Sequence, residues 1–246
     1  MEFSLKDKRI LITGASGGIG SAIARYLHSC GARLVISGTN EEKLKTLNSA
    51  INNDARIVLQ DLSDLKNVHL LIEACKNELG GLDGMVCNAG MTDDKLSLRM
   101  NLECWQRIID VNLTSSFILN KHAAALMMRE KYGRIVNISS VVAVMGNPGQ
   151  ANYCASKAGM IAMSKSFARE FATKGVLINC IAPGFIKTSM TDKLTDEQHS
   201  HVLNGIPMKR IGEPQELCGI TAFLLSDMAS YITGQTFHVN GGMLMV

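Results

Sequence analysis

The sequence predicts one doubly wound α/β domain, with a parallel sheet covered by helices on both faces. Three observations carry this. Short apolar runs alternate with helically spaced segments along all 246 residues. Those runs show little polar alternation, as strands covered on both faces do. The first run ends in a glycine-rich turn that opens a helix.

Arg9 to Thr13 (RILIT) reads as a buried strand, and Gly18 to Cys30 as a helix through Ile19, Ala22, Ile23, Tyr26 and Leu27. A second strand follows at Arg33 to Ser37. Asn40 is placed to cap the next helix, with Glu41 and Glu42 in the first turn, where the helix dipole favours acids. Ala55 to Gln60 is the third strand, Asp64 to Leu79 a helix, and Gly84 to Cys87 the fourth strand. A long helical region starts near Asn101. Arg134 to Ile138 is the fifth strand, Ala151 to Thr173 a helix, and Val176 to Ala182 the sixth strand. Gly212 to Leu225 is the last helix and Thr236 to Val239 the last strand. The polar stretch 188–207 interrupts the alternation. It is a candidate lid, because such folds bind ligands at the carboxyl ends of their strands; an ordinary surface insertion is the plain alternative.

Composition narrows the function. Hydrophobic residues make up 46% and charged residues 19%, enough apolar material for a core. A net charge of +3 is too small and dispersed for a nucleic-acid face. No apolar run reaches the ~20 residues that span a membrane. The N-terminus lacks the apolar stretch of a secretion signal. The seven cysteines form no C-x-x-C pair, which fits a reduced, cytoplasmic chain and gives a metal site no support.

Two motifs carry chemistry. Gly14, Gly18 and Gly20 form G-x-x-x-G-x-G, which suits a tight turn and a helix N-terminus aimed at a pyrophosphate. A turn serving only the bend is the alternative. An acid at the end of the second strand would bind a ribose hydroxyl and repel a 2′-phosphate. Ser37, Gly38, Thr39 and Asn40 include none, which favours NADP. Tyr153 and Lys157, four residues apart, share one helix face. An ammonium beside a phenol favours the phenolate and lowers a pKa that starts near ~10. Such a phenol can donate a proton to a carbonyl oxygen. Ser140, after the fifth strand, is placed to polarise that oxygen. Ser139 is a rival for the role.

TGASGGIG, Asn88-Ala89-Gly90, Asn112, Ser140, Y-x-x-x-K and Pro183-Gly184 occur here in an order that resembles the short-chain dehydrogenase/reductase family. The resemblance covers the chain from Leu5 to Val246. Within the family it is similar to bacterial reductases of 3-oxoacyl groups held on acyl carrier protein in fatty-acid synthesis. The segments from Ser140, Ala182 and Tyr231 carry that narrower likeness. It implies a single Rossmann-type domain over 1–246 with a seven-stranded sheet, a homotetramer, and NADPH as hydride source. Tyr153 would be the general acid and Ser140 would orient the ketone. Lys157 would hold the nicotinamide ribose and depress the phenol pKa. Asn112 would anchor a water in a proton relay. Gly14, Ala15, Ser16, Gly17, Gly18, Ile19 and Gly20 would line the pyrophosphate turn. Thr39 would lie at the 2′-phosphate, Asp61 and Leu62 at the adenine, and Asn88, Ala89 and Gly90 at the adenosine side. Ile186 and Thr188 would meet the nicotinamide. Many NADPH-using relatives carry a basic residue where this chain has Gly17. Lys131 and Lys174 match positions that relatives offer to the acidic carrier protein near the active-site mouth; two solvated helix-end lysines are the alternative. Other readings are a reductase of acyl-CoA thioesters or another small ketone, and a non-catalytic dinucleotide-binding protein.

Overall fold

The computed structural model describes residues 4–188 and 196–246. Seven parallel strands form one sheet in the order β3-β2-β1-β4-β5-β6-β7. They are β1 Arg9–Thr13, β2 Arg33–Gly38, β3 Arg56–Leu59, β4 Gly84–Cys87, β5 Gly133–Ile138, β6 Val176–Pro183 and β7 Thr236–Val239. The helices are α1 Gly18–Ser29, α2 Glu41–Ser49, α3 Leu70–Leu79, α4 Leu102–Ile109, α5 Ser115–Met127, α6 Val142–Met145, α7 Ala151–Phe171, α8 Asp196–Asn204 and α9 Cys218–Leu225.

The two-residue period of a strand divides the core. On β1, Ile10 and Ile12 join Ile23 and Leu27 of α1, Leu44 and Leu47 of α2, and Leu224 and Leu225 of α9. Leu11 faces the other way and joins Leu71 and Cys75 of α3, Leu119 and Met127 of α5, and Phe167 of α7. Each large side chain buried this way contributes roughly 1.5–3 kcal/mol.

Strand order reverses at β1, which pairs with β2 on one side and β4 on the other. A sheet that reverses there opens a crevice at its carboxyl edge. The glycine turn after β1 lies in that crevice.

The sequence expectations hold for every strand, with small shifts at the ends. Three helices differ. The expected helix from Asp64 begins only at Leu70, because Asp61 and Asp64 side chains accept from Ser63 N and Asn67 Nδ2 and stabilise turns instead. The expected helix from Gly212 begins with a 3₁₀ turn at Pro214 and becomes α-helical at Cys218. Gly212 itself bridges to Ile186, accepting from Lys187 N and donating to Phe185 O. The region after Asn101 is α4 and α5 joined by a π-helical turn, Asp110–Thr114. Of the expected lid, residues 189–195 lie outside the described residues; α8 follows them. Among the described residues, no helix is long and apolar enough to cross a membrane.

Candidate active site

The glycine turn is held open by its neighbours. Gly14 takes φ +63°, and a Cβ there would sit 2.7 Å from the Ala89 Cα. A Cβ on Gly20 would collide with Gly14 O and stand 2.7 Å from Asn88 Nδ2. Gly17 N donates to Gly14 O, and Ala15 N donates to Ser37 O at the end of β2. Gly38 is so close to Ser16 that a Cβ would lie 2.8 Å from Ser16 Oγ. α1 starts after Gly17 with no side-chain cap and no acid in its first turn, so its first amides keep their anion-binding capacity. Thr188 lies over the same turn: a Cβ on Gly18 would be 3.1 Å from its methyl.

A residue missed by the sequence reading organises this edge. Thr13 is buried at 2% exposure, and its Oγ1 accepts from Asn88 N and Ala89 N, both at 3.1 Å. Asn88 Nδ2 donates back to Thr13 O and Gly14 O, each at 3.1 Å. The β4 loop is thereby fastened to the glycine turn. The signal was legible: a polar residue closing an otherwise apolar strand.

Tyr153 and Lys157 share one face of α7, as expected, and the Lys157 Nζ lies 5.8 Å from the phenol ring centre. The Ser140 hydroxyl lies near the phenol and favours its ionised form. Ser139 is occupied elsewhere: it is buried and its Oγ donates to Lys157 O at 3.0 Å. Of the two serines, Ser140 is the one left on the phenol's side.

The expected acidification of the phenol is corrected. Burial pushes Tyr153 up to about 12, outweighing the Ser140 contact. Burial also holds Lys157 down to about 8. The reason is geometric. Lys157 is 3% exposed and directs its Nζ to Ile138 O at 2.8 Å. Its charge is spent partly on that carbonyl, and both groups lose water. The phenol is thus a protonated acid at neutral pH.

Asn112 sits in the π-helical turn, the wide geometry often found at functional sites. Its Oδ1 accepts from Met91 N at 2.9 Å, and its Nδ2 donates to Met91 O at 2.9 Å and Ser156 Oγ at 3.1 Å. A Cβ on Gly90 would stand 3.3 Å from both Asn112 Oδ1 and Lys157 Nζ. Lys157, Asn112 and Gly90 therefore meet. Beneath them lies a buried polar cluster that the sequence reading did not find: Asn120 and Asn137 exchange amide hydrogen bonds at 3.0 and 3.1 Å, and Asn137 donates to Ser164 Oγ at 2.8 Å. Only packing of α5 and α7 on β5 brings these residues together.

The remaining expected residues lie along the same edge. Thr39 is exposed beyond β2, while Asn40 caps α2 by accepting from Lys43 N at 2.9 Å. Asp61 and Leu62 follow β3; the Ser63 amide holds the Asp61 carboxyl below its ordinary value. Ile186 is 6% exposed beyond β6. Lys131 and Lys174 are different. They precede β5 and β6, at the amino edge of the sheet. The expectation that they flank this mouth is corrected for a single chain. Parallel strands put the residues before them on the opposite edge from the residues after them.

The sequence model of a family described as enoyl-(acyl carrier protein) reductase matches residues 14–244. A 3-oxoacyl-acyl-carrier-protein reductase of Rickettsia felis is 52% identical over 242 residues, which are 98% of this chain and 99% of that protein. Nodulation protein G of Rhizobium sp. strain N33 is 48% identical over 244 residues, 99% of this chain and 100% of that one. The crystal structure of a candidate gluconate dehydrogenase from Agrobacterium tumefaciens superimposes with a TM-score of 0.95 at 35% identity, covering 100% of this chain and 99% of that one.

Proposed function

This chain belongs to the short-chain dehydrogenase/reductase family, and from that premise we propose that it reduces 3-oxoacyl groups on acyl carrier protein to 3-hydroxyacyl groups, using NADPH, in fatty-acid synthesis. The observation that carries the reading is the hydroxyl pair. The Ser140 hydroxyl stands beside the Tyr153 phenol at the carboxyl edge, near a turn whose glycines leave backbone amides bare. Two hydroxyls converging on one point suit a ketone oxygen.

The residues present fit a nicotinamide dinucleotide. Gly14, Ala15, Ser16, Gly17, Gly18, Ile19 and Gly20 would hold its pyrophosphate at the α1 N-terminus. Asn88, Ala89 and Gly90 would border the adenosine side, with Asp61 and Leu62 at the adenine. Thr39 would face the 2′-phosphate, with no acid in β2 to repel it. Ile186 and Thr188 would meet the nicotinamide, which supplies hydride when bound. Ser140 then donates a hydrogen bond to the substrate oxygen, and Tyr153 donates its proton to that oxygen. Lys157 holds a ribose hydroxyl and favours the phenolate that remains. Asn112 keeps the Lys157 side of the site in place and anchors the water through which the proton is replaced.

The domain spans 1–246, with 188–207 closing over the acyl chain. We place the enzyme in the cytoplasm as a homotetramer. All seven cysteines stand outside disulfides, and the exposed Phe117 of α5 and Met128 just after it offer apolar contact area. Lys131 and Lys174 would grip the acidic carrier protein for the site of a neighbouring subunit.

A steady-state assay on acetoacetyl-carrier protein tests the whole reading. Wild type turns over with NADPH in preference to NADH. Tyr153→Phe keeps NADPH binding by fluorescence and loses about 10²–10⁴-fold in turnover. Wild-type turnover in that variant defeats the mechanism.

A further inference from the structure

Lys95 and Cys104 take no part in the chemistry above. Lys95 follows β4, and its amide donates to Gly149 O at 2.8 Å. Cys104 is in the first turn of α4 and is 9% exposed. The Lys95 Nζ stands 2.7 Å from the Cys104 Sγ. Three other sulfur hydrogen bonds are longer: 3.1 Å for Cys180 to Ser164, 3.6 Å for Asn120 to Cys87, and 3.7 Å for Cys218 to Pro214 O. Even N–H···O bonds run about 2.7–3.2 Å, and sulfur is the larger atom. The gap is short for a contact through hydrogen and long for a direct sulfur–nitrogen bond. One singly bonded oxygen atom spans it.

We propose that Lys95 and Cys104 form an oxidation-dependent covalent cross-link, Nζ–O–Sγ, which ties residues 93–95 to α4. Hydrogen peroxide is the oxidant. The Cys104 sulfur attacks one peroxide oxygen, the O–O bond breaks, and water leaves a sulfenic acid. The Lys95 amine reacts likewise with a second peroxide, giving a hydroxylamine and water. The hydroxylamine oxygen then displaces water from the sulfenic sulfur, closing the N–O–S bridge. In sum, thiol, amine and two peroxides give the bridge and three waters. Two molecules of a dithiol return the bridging oxygen as water and restore thiol and amine.

Three features support this. The Lys95 side chain is 40% exposed, so a small oxidant reaches the pair. Its other charged neighbour, Asp93 Oδ1, is only a distant partner at 3.6 Å. The bridge braces ground already linked to the phenol: Asn152 Nδ2 donates to Asp93 O at 3.2 Å and to Cys104 O at 3.4 Å, and its Oδ1 accepts from Tyr153 N. The cross-link does not rest on the reductase reading, and its failure leaves that reading untouched.

The test is peptide mapping by mass spectrometry on purified full-length protein, before and after hydrogen peroxide and again after dithiothreitol. The expected product joins the Lys95 and Cys104 peptides with a gain of one oxygen and a loss of two hydrogens. It resists trypsin at Lys95 and disappears with dithiothreitol. Lys95→Arg and Cys104→Ser each abolish it. A peroxide-treated protein with sulfenic or sulfinic Cys104 but normal trypsin cleavage at Lys95 overturns the proposal. So does the same joined mass in either variant.

Discussion

At the scale of single residues, Lys157 is a buried cation held at a cost to stability. Its ordinary pKa of 10.5 falls to about 8 because the ammonium is buried. Below pH 8 the folded protein carries that buried charge at a cost of roughly 3 kcal/mol, set by the size of the shift. As pH rises from about 8 to about 10.5, the unfolded chain retains a proton that the folded protein has lost, so this cost is relieved. Lys157→Met keeps the volume and removes the charge, leaving Ile138 O without its donor. We expect it to raise folding stability at pH 7 by about 1–3 kcal/mol while abolishing most turnover. Urea titrations at pH 7 and pH 9.5 check this: the advantage over wild type should narrow at the higher pH. A variant less stable than wild type at both values would show that the hydrogen bond outweighs the buried charge.

Among elements, the start of α1 carries a strict requirement. The Cβ of an alanine at position 20 would meet backbone, namely Gly14 O and the Ala15 Cα at 2.9 Å, and neither can rotate away. Gly20→Ala should cost about 1–3 kcal/mol of stability. It should also weaken dinucleotide binding by about tenfold, equivalent to ~1.4 kcal/mol. Calorimetric titration with NADPH, together with thermal unfolding, reads both. Unchanged affinity would mean that the pyrophosphate does not approach this turn. The π-helical turn at Asp110–Thr114 makes the complementary point. Nothing in DVNLT distinguishes it from an ordinary helical turn; it forms because both polar groups of the Asn112 side chain pair with the Met91 backbone.

For the whole molecule, sheet direction decides how a carrier protein can dock. β5 runs six residues, about 20 Å at ~3.3 Å per residue. Lys131 lies before it and Ser140 after it. On the proposed reading, a carrier protein held at these lysines serves the phenol of a neighbouring subunit. Reversing both charges, Lys131→Glu with Lys174→Glu, should raise KM several-fold for acetoacetyl-carrier protein and leave acetoacetyl-CoA unchanged. Refolding those chains with Tyr153→Phe chains should restore carrier-protein turnover above the sum of the separate variants, because each subunit type supplies what the other lacks. Turnover no higher than that sum would rule out docking across subunits. Equal carrier-protein turnover at low and high salt would remove the electrostatic contact altogether.

Strand positions, the alternation with helices, the glycine turn and the Tyr153–Lys157 face were all legible in the sequence. Each depends on local spacing: an apolar run, a bend that needs Gly14, or two side chains one helical turn apart. Tertiary structure alone decided the turning of Ser139 toward Lys157 O, the position of Lys131 and Lys174 on the far edge, the Asn120–Asn137–Ser164 cluster, and the direction of the phenol's pKa. Those outcomes depend on which groups lose water and which carbonyl lies within reach. Desolvation and long-range contact are properties of the packed molecule, with no fixed spacing along the chain to announce them.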